Sequence, residues 1–198
     1  MPVHQDYDVF DGTQLPLFEA GAERITRSGL SFHVRSADES DGQVLAEFFA
    51  HVTRDDLRFR FLSSVKEVGQ DQLARLTHLD HRRVENFLAF DMVTGCLLAS
   101  AMLAIEDDLD RAEVAIVIRS DFKNMGIGWS LLEHASEKAS AMGVRTLQAI
   151  ESHDNRAAIR VEHDMGFTSH AYPGNATLNL LEKSLPEVGT KAADPSAL

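Results

Sequence analysis

The sequence predicts an α+β fold in three layers (α/β/α), a mixed and mostly antiparallel central sheet with helices on both faces. Strands at 85–91, 97–105 and 112–118 follow one another across short polar turns, which pairs them antiparallel. Beyond them, helical and strand patterns alternate over 126–181, which makes the sheet mixed.

Residues 1–28 mix acids, glycine and proline without a period, and a flexible arm is expected there. Residues 30–35 alternate as a first strand. Residues 38–52 read as a helix, with Val44, Leu45, Phe48 and Phe49 on one face and Asp38 or Ser40 as cap. A second short helix is expected over 54–62, and a third over 70–79 with Leu73, Leu76 and Leu79 aligned. The strands at 85–91 and 97–105 turn at Thr94-Gly95, and the acidic run 106–110 makes the next turn. The clearest helix is 126–142, where Ile127, Leu131, Leu132, Ala135, Ala139 and Met142 form one face and Gly143 ends it. A strand at 145–150, a helix at 155–165 and a hairpin of 167–172 with 176–181 close a domain spanning 29–185. A polar, flexible tail is expected over 186–198.

At 198 residues, 44% hydrophobic and 25% charged, the composition is that of one globular domain with a full core. A net charge of −12 argues against general nucleic-acid binding, which needs a basic footprint. The single Cys96 lies in an apolar run and reads as a core residue. With no apolar run of membrane-spanning length and no leader pattern, a cytoplasmic protein without membrane partners is expected.

The chemistry concentrates between Ala112 and Trp129. A β-branched strand feeds a turn, and Gly126-Ile127-Gly128 then opens a helix. The first amides of a helix lack internal partners, and the macrodipole favours negative charge, so such a turn suits phosphate groups. A dinucleotide-binding fingerprint is excluded because Leu131 stands where the third glycine belongs. A Walker loop is excluded because Gly128 is followed by Trp129 and Ser130. Glu113, early on a mostly apolar strand, is a candidate base, since desolvation raises a carboxyl's pKa. A phosphate cradle beside a base suggests group transfer from a nucleotide-bearing donor.

Lys123-Asn124-Met125-Gly126-Ile127-Gly128 resembles the Arg/Gln-x-x-Gly-x-Gly/Ala motif of the GNAT N-acetyltransferase superfamily, with Lys in place of Arg or Gln. Asn155-Arg156-Ala157-Ala158, ending at Met165-Gly166-Phe167, resembles its second signature. The stretches 58–67, 73–77 and 112–121 are similar to bacterial protein lysine acetyltransferases. There the domain often accompanies a large nucleotide-binding region, a pattern not found in these 198 residues.

The resemblance implies acetyl transfer from acetyl-CoA, as co-substrate, to a protein lysine or a small amine, with no metal. The pyrophosphate is expected on the amides of Asn124, Met125, Gly126, Ile127, Gly128 and Trp129, with Lys123 as a further donor. The pantetheine arm is expected along Ile116, Val117 and Ile118, where an amide near Val117 or Ile118 polarises the thioester. Asn155 is expected to contact the cofactor from the opposite side, and Glu113 to act as general base. Many relatives protonate the leaving thiolate with a Tyr; Glu162 stands at that position here, which leaves the general acid unassigned. His78 and His81 share one spacing but lack the further ligands a zinc site needs. Arg54, Arg58 and Arg60 read as a solvated face. A non-catalytic acyl-CoA sensor would keep the glycine turn without needing Glu113.

Overall fold

The structure, a computed structural model, describes residues 21–186. Eight strands form one sheet: β1 (Ala22–Ile25), β2 (Ser31–Ser36), β3 (Val84–Asp91), β4 (Leu97–Ile105), β5 (Arg111–Ile118), β6 (Thr146–Ser152), β7 (Thr168–Ala171) and β8 (Leu178–Ser184). Their spatial order is β1-β2-β3-β4-β5-β6-β8-β7. Among the described strands only β5 and β6 run parallel, because α4 (Ile127–Ala141) crosses over between them. The remaining helices are α1 (Gly42–Ala50), α2 (Arg54–Phe61), α3 (Gln70–Thr77) and α5 (Arg156–Asp164).

Strand alternation sends side chains to two cores. Ala112 and Val114 of β5 join Leu131, Leu132 and Ala135 of α4 in one. Val117 joins Leu45, Phe48, Leu57, Leu73 and Leu76 of α1, α2 and α3 in the other. The fold is therefore the three-layer α+β arrangement expected. Asp38 caps the turn ahead of α1: its carboxylate accepts from the Ser40 amide at 2.7 Å, and Asp41 accepts from the Asp38 amide at 2.8 Å. Asp41 also takes a bidentate ion pair from Arg35, at 2.7 and 2.6 Å.

Two expectations are corrected. The arm expected over 1–28 overlaps the sheet, because Ala22–Ile25 pairs antiparallel with β2 from Ala22↔Val34 to Ile25↔Ser31. A four-residue edge strand is too short to show a period, and its pairing with β2 supplies the missing order. The remainder of that arm (1–20) and the tail from 187 lie outside the described residues. Cys96 is only half-buried, since it sits in the β3–β4 turn rather than inside a strand. Among the described residues no helix is long and apolar enough to cross a membrane.

Candidate active site

The parallel ladder between β5 and β6 holds only three pairs: Arg111↔Thr146, Ala112↔Leu147 and Glu113↔Gln148. Beyond Glu113 the two strands part. β5 stays with β4 as far as Ala99↔Ile118, and β6 stays with β8 as far as Ser152↔Leu178. The result is a wedge through the sheet with Glu113 at its vertex. The wedge opens into a cavity of ≈ 230 Å³ reached by side chains of both faces, Phe59 of α2 and Leu132 of α4 among them.

The backbone of β5 supplies this wedge by alternation. The Arg119 amide donates to the Leu98 carbonyl at 2.8 Å, which continues the antiparallel ladder with β4. Odd-numbered residues of β5 therefore bond to β4, and the Ile116 and Ile118 amides face the wedge. The Val117 amide is turned toward Ser100 of β4, so of the two amides expected near the thioester the alternation favours Ile118.

The glycine turn closes the wide end. Asn124 and Gly126 both adopt left-handed backbone, with φ of 61° and 86°. Among the described residues, the amides of Asn124, Met125, Gly126, Ile127, Gly128 and Trp129 donate no backbone hydrogen bond, and the helical ladder begins with Ser130 on the Gly126 carbonyl at 3.2 Å. A Cβ on Gly126 would come within 3.1 Å of Thr26 Cβ, and one on Gly128 within 3.2 Å of Ile118 Cδ1. The turn between β1 and β2 buttresses this loop: Ser28 Oγ donates to the Met125 carbonyl at 2.8 Å, and the Arg27 guanidinium lies 4.1 Å over the Trp129 ring. Unpaired amides, close glycines and an adjoining cavity fit an anionic, phosphate-bearing ligand.

Of the residues expected at the site, Ile116, Val117, Ile118, Lys123, Asn124, Gly126, Ile127, Gly128, Trp129 and Asn155 line the cavity. The Met125 side chain does not; it points to solvent. Glu113 does not line it either; it stands at the wedge vertex on the α2 side of the sheet, exposed to solvent. Surrounding protein raises its carboxyl's pKa, and the nearby Arg60 charge partly offsets that. Lys123 is held by Asp56 of α2, and Asn155 Nδ2 donates to Glu151 Oε2 at 2.6 Å.

Sequence reasoning missed four contributors. Asp56 and Phe59 line the cavity from α2. Arg60, expected in a solvated face, has its Nε enclosed without an acceptor among the described residues, donates toward Met102 Sδ at 3.4 Å, and acts electrostatically on Glu113 and Glu151. Its own pKa falls to about 10 through burial. Glu151 is buried and faces Glu162 across the cavity, each carboxyl within hydrogen-bonding reach of the other. A signal for Glu151 existed: it shares strand parity with Leu147 and Ala149, both core residues.

The histidines stand elsewhere. His78 Nδ1 lies 3.0 Å from the Ala74 carbonyl, and His81 pairs with Glu85. His134 is half-buried edge-on against Phe87 with Arg24 3.0 Å from its Nδ1, and its pKa falls to about 4, chiefly by desolvation.

Residues 49–167, more than half of the chain, match the acetyltransferase (GNAT) family. The chain belongs to that family. An acetyltransferase of Pseudomonas aeruginosa is 25% identical over 146 residues, 73% of this chain and 78% of that protein. The GNAT domain of S. lividans PAT has the same fold at a TM-score of 0.77, with 24% identity over 87% of this chain and 100% of that one. Spermidine N-acetyltransferase from Vibrio cholerae, solved with CoA and spermine, aligns at 0.63 with 15% identity, over 77% of this chain and 95% of that one. In this GNAT chain the glycine turn and the wedge line one cavity.

Proposed function

We propose that this GNAT protein is an acetyl-CoA-dependent N-acetyltransferase that acetylates protein lysines by direct transfer, with Glu113 as general base. The observation that carries the reading is the wedge, which has unpaired amides at its wide end and a carboxylate with raised pKa at its vertex.

The residues divide the work. Amides 124–129 would hold the pyrophosphate, helped by the dipole of α4. The Ile116 and Ile118 backbone would pair with the amides of the pantetheine arm as an added strand does. The Ile118 amide, turned toward the wedge, would donate to the thioester oxygen as it gathers charge. A lysine amine is mostly protonated at neutral pH, and freeing it costs about 4 to 5 kcal/mol. Glu113 takes that proton, directly or through water. The amine nitrogen then bonds to the carbonyl carbon as the carbon–sulfur bond breaks.

Similarity of 58–67 and 73–77 to protein lysine acetyltransferases favours a protein acceptor. The charge of −12 suits a cationic small amine equally, and this is the alternative. A cytosolic setting fits the single, unpaired cysteine. Incubation with acetyl-CoA and a cell lysate, followed by mass spectrometry, should find new acetyl-lysines that are absent with Glu113→Gln. Thiol release with polyamines but no acetyl-lysine would establish the small-amine reading. Acetyl-CoA binding without thiol release in the presence of any acceptor would make the protein a sensor.

A further inference from the structure

Resting on the acetyl-transfer reading, we infer that Glu162 and Glu151 form a proton-sharing carboxyl pair, and that Glu162 is the general acid that protonates the departing thiolate. Both side chains are buried, 5% and 8% exposed, and both line the cavity. Glu151 comes from β6 on one side of the wedge and Glu162 from α5 over it. Glu162 Oε2 is enclosed with no hydrogen-bond partner among the described residues. Two ionised carboxylates at this distance, out of water, repel each other and leave that oxygen orphaned; one shared proton removes both penalties.

The surroundings select which carboxyl carries the proton. Asn155 Nδ2 donates to Glu151 Oε2 at 2.6 Å, and Arg60 of α2 bears electrostatically on Glu151, so both favour charge there. Glu162 gains neither a donor nor a cation, and Glu151 beside it opposes its ionisation. Burial raises both carboxyls, and Glu162 is raised the further. Glu113 acts from the other face beside Arg60, while Asp56 and Lys123, also on the cavity, neutralise each other.

The balance of the step is complete. The amine nitrogen bonds to the acetyl carbon, and its proton leaves through Glu113. The carbon–sulfur bond breaks with its electron pair going to sulfur. The Glu162 O–H gives its proton to sulfur, leaving the pair ionised until water returns the proton. An alkyl thiol of the cysteine kind titrates at about 8.5, close to the value of about 9 to which Glu162 is raised, so the proton passes between nearly matched groups.

Two measurements test this. Infrared difference spectroscopy at neutral pH should show a protonated-carboxyl stretch in the wild type that is lost in Glu162→Gln and shifted in frequency in Glu151→Gln, which removes the partner but leaves Glu162 buried. Glu162→Gln keeps the shape and can donate to Glu151, so folding should survive; thermal melts check it. Turnover with acetyl-CoA should fall by roughly 10² to 10⁴ in Glu162→Gln, with acetyl-CoA affinity kept and the alkaline limb of the pH–rate profile removed. Glu113→Gln should instead alter the acidic limb. Absence of the stretch, or wild-type rates and an unchanged alkaline limb in Glu162→Gln, overturns the inference while acetyl transfer stands. A wild type that shows the stretch and binds acetyl-CoA but transfers nothing overturns the acid role together with the acetyl-transfer reading.

Discussion

Lys123 Nζ of the glycine turn lies 2.5 Å from both carboxyl oxygens of Asp56 on α2. The lysine of the proposed phosphate site is thus already paired, and Asp56 itself lines the cavity. Asp56→Asn should free Lys123 and tighten acetyl-CoA binding several-fold at low salt, with the gain fading as salt rises. Lys123→Ala should weaken binding about tenfold, because it leaves a carboxylate facing phosphates. Titration calorimetry of both variants checks this; weaker binding in Asp56→Asn would mean that Asp56 positions the lysine.

Gly126 has a left-handed φ of 86°, and a Cβ there would meet Thr26 Cβ at 3.1 Å. Gly126→Ala should cost about 1–3 kcal/mol of stability through backbone strain alone. Gly126→Val should also abolish the stabilisation that acetyl-CoA confers by mass action. Thermal shifts with and without acetyl-CoA read both effects, and a full shift in the valine variant would remove the loop from the binding site.

The β1–β2 turn supports the same loop through Thr26, Arg27 and Ser28. Truncation to residue 21 should leave melting temperature and acetyl-CoA affinity near those of the full chain. Truncation to residue 29 should lower both, since it removes β1 and the buttress. Equal behaviour of the two truncations would show that the buttress contributes nothing.

Glu113→Gln should lower turnover by roughly 10² to 10⁴ when proton removal limits the rate. Acetyl-CoA binding should persist, and part of the rate should return at high pH, where solvent frees more acceptor amine. Comparison of pH–rate profiles with one acceptor decides it. Equal neutral-pH rates would take Glu113 out of the mechanism.

Stability should depend on pH from two directions. His134 is lowered to about 4, so below its unfolded value near 6.5 the unfolded chain binds a proton the folded chain does not. Stability is therefore lost as pH falls from about 6.5 toward 4, by on the order of 1 kcal/mol after solvent screening, and His134→Gln should flatten that limb. Glu151 and Glu162 are raised, so above the ordinary carboxylate range the folded chain holds a proton the unfolded chain has lost. Stability falls there as pH rises, and Glu162→Gln should reduce the slope. Melting temperatures across the pH range test both signs.

Local signals were readable where local chemistry sets the structure. The glycine turn, the apolar face of α4 and the alternation of β5 all follow from neighbours within a few residues. Strand β1 escaped because four residues carry no period, and it is ordered by β2, across the Gly29 turn. Arg60 was misread because an arginine on a polar-looking helix is ordinarily solvated, whereas here α2 packs across β4 and β5.

By itself the sequence determined the element order from β2 onward, the unpaired amides at the head of α4 and the carboxylate on β5, because backbone geometry and side-chain parity are local properties. Tertiary structure decided where the β5–β6 ladder stops, which amides face the wedge, and that Asp56, Arg60, Glu151 and Glu162 converge there. The reason is physical. A pKa, a shared proton or an ion pair depends on distance and desolvation between residues far apart in the chain, and only the packed fold sets those quantities.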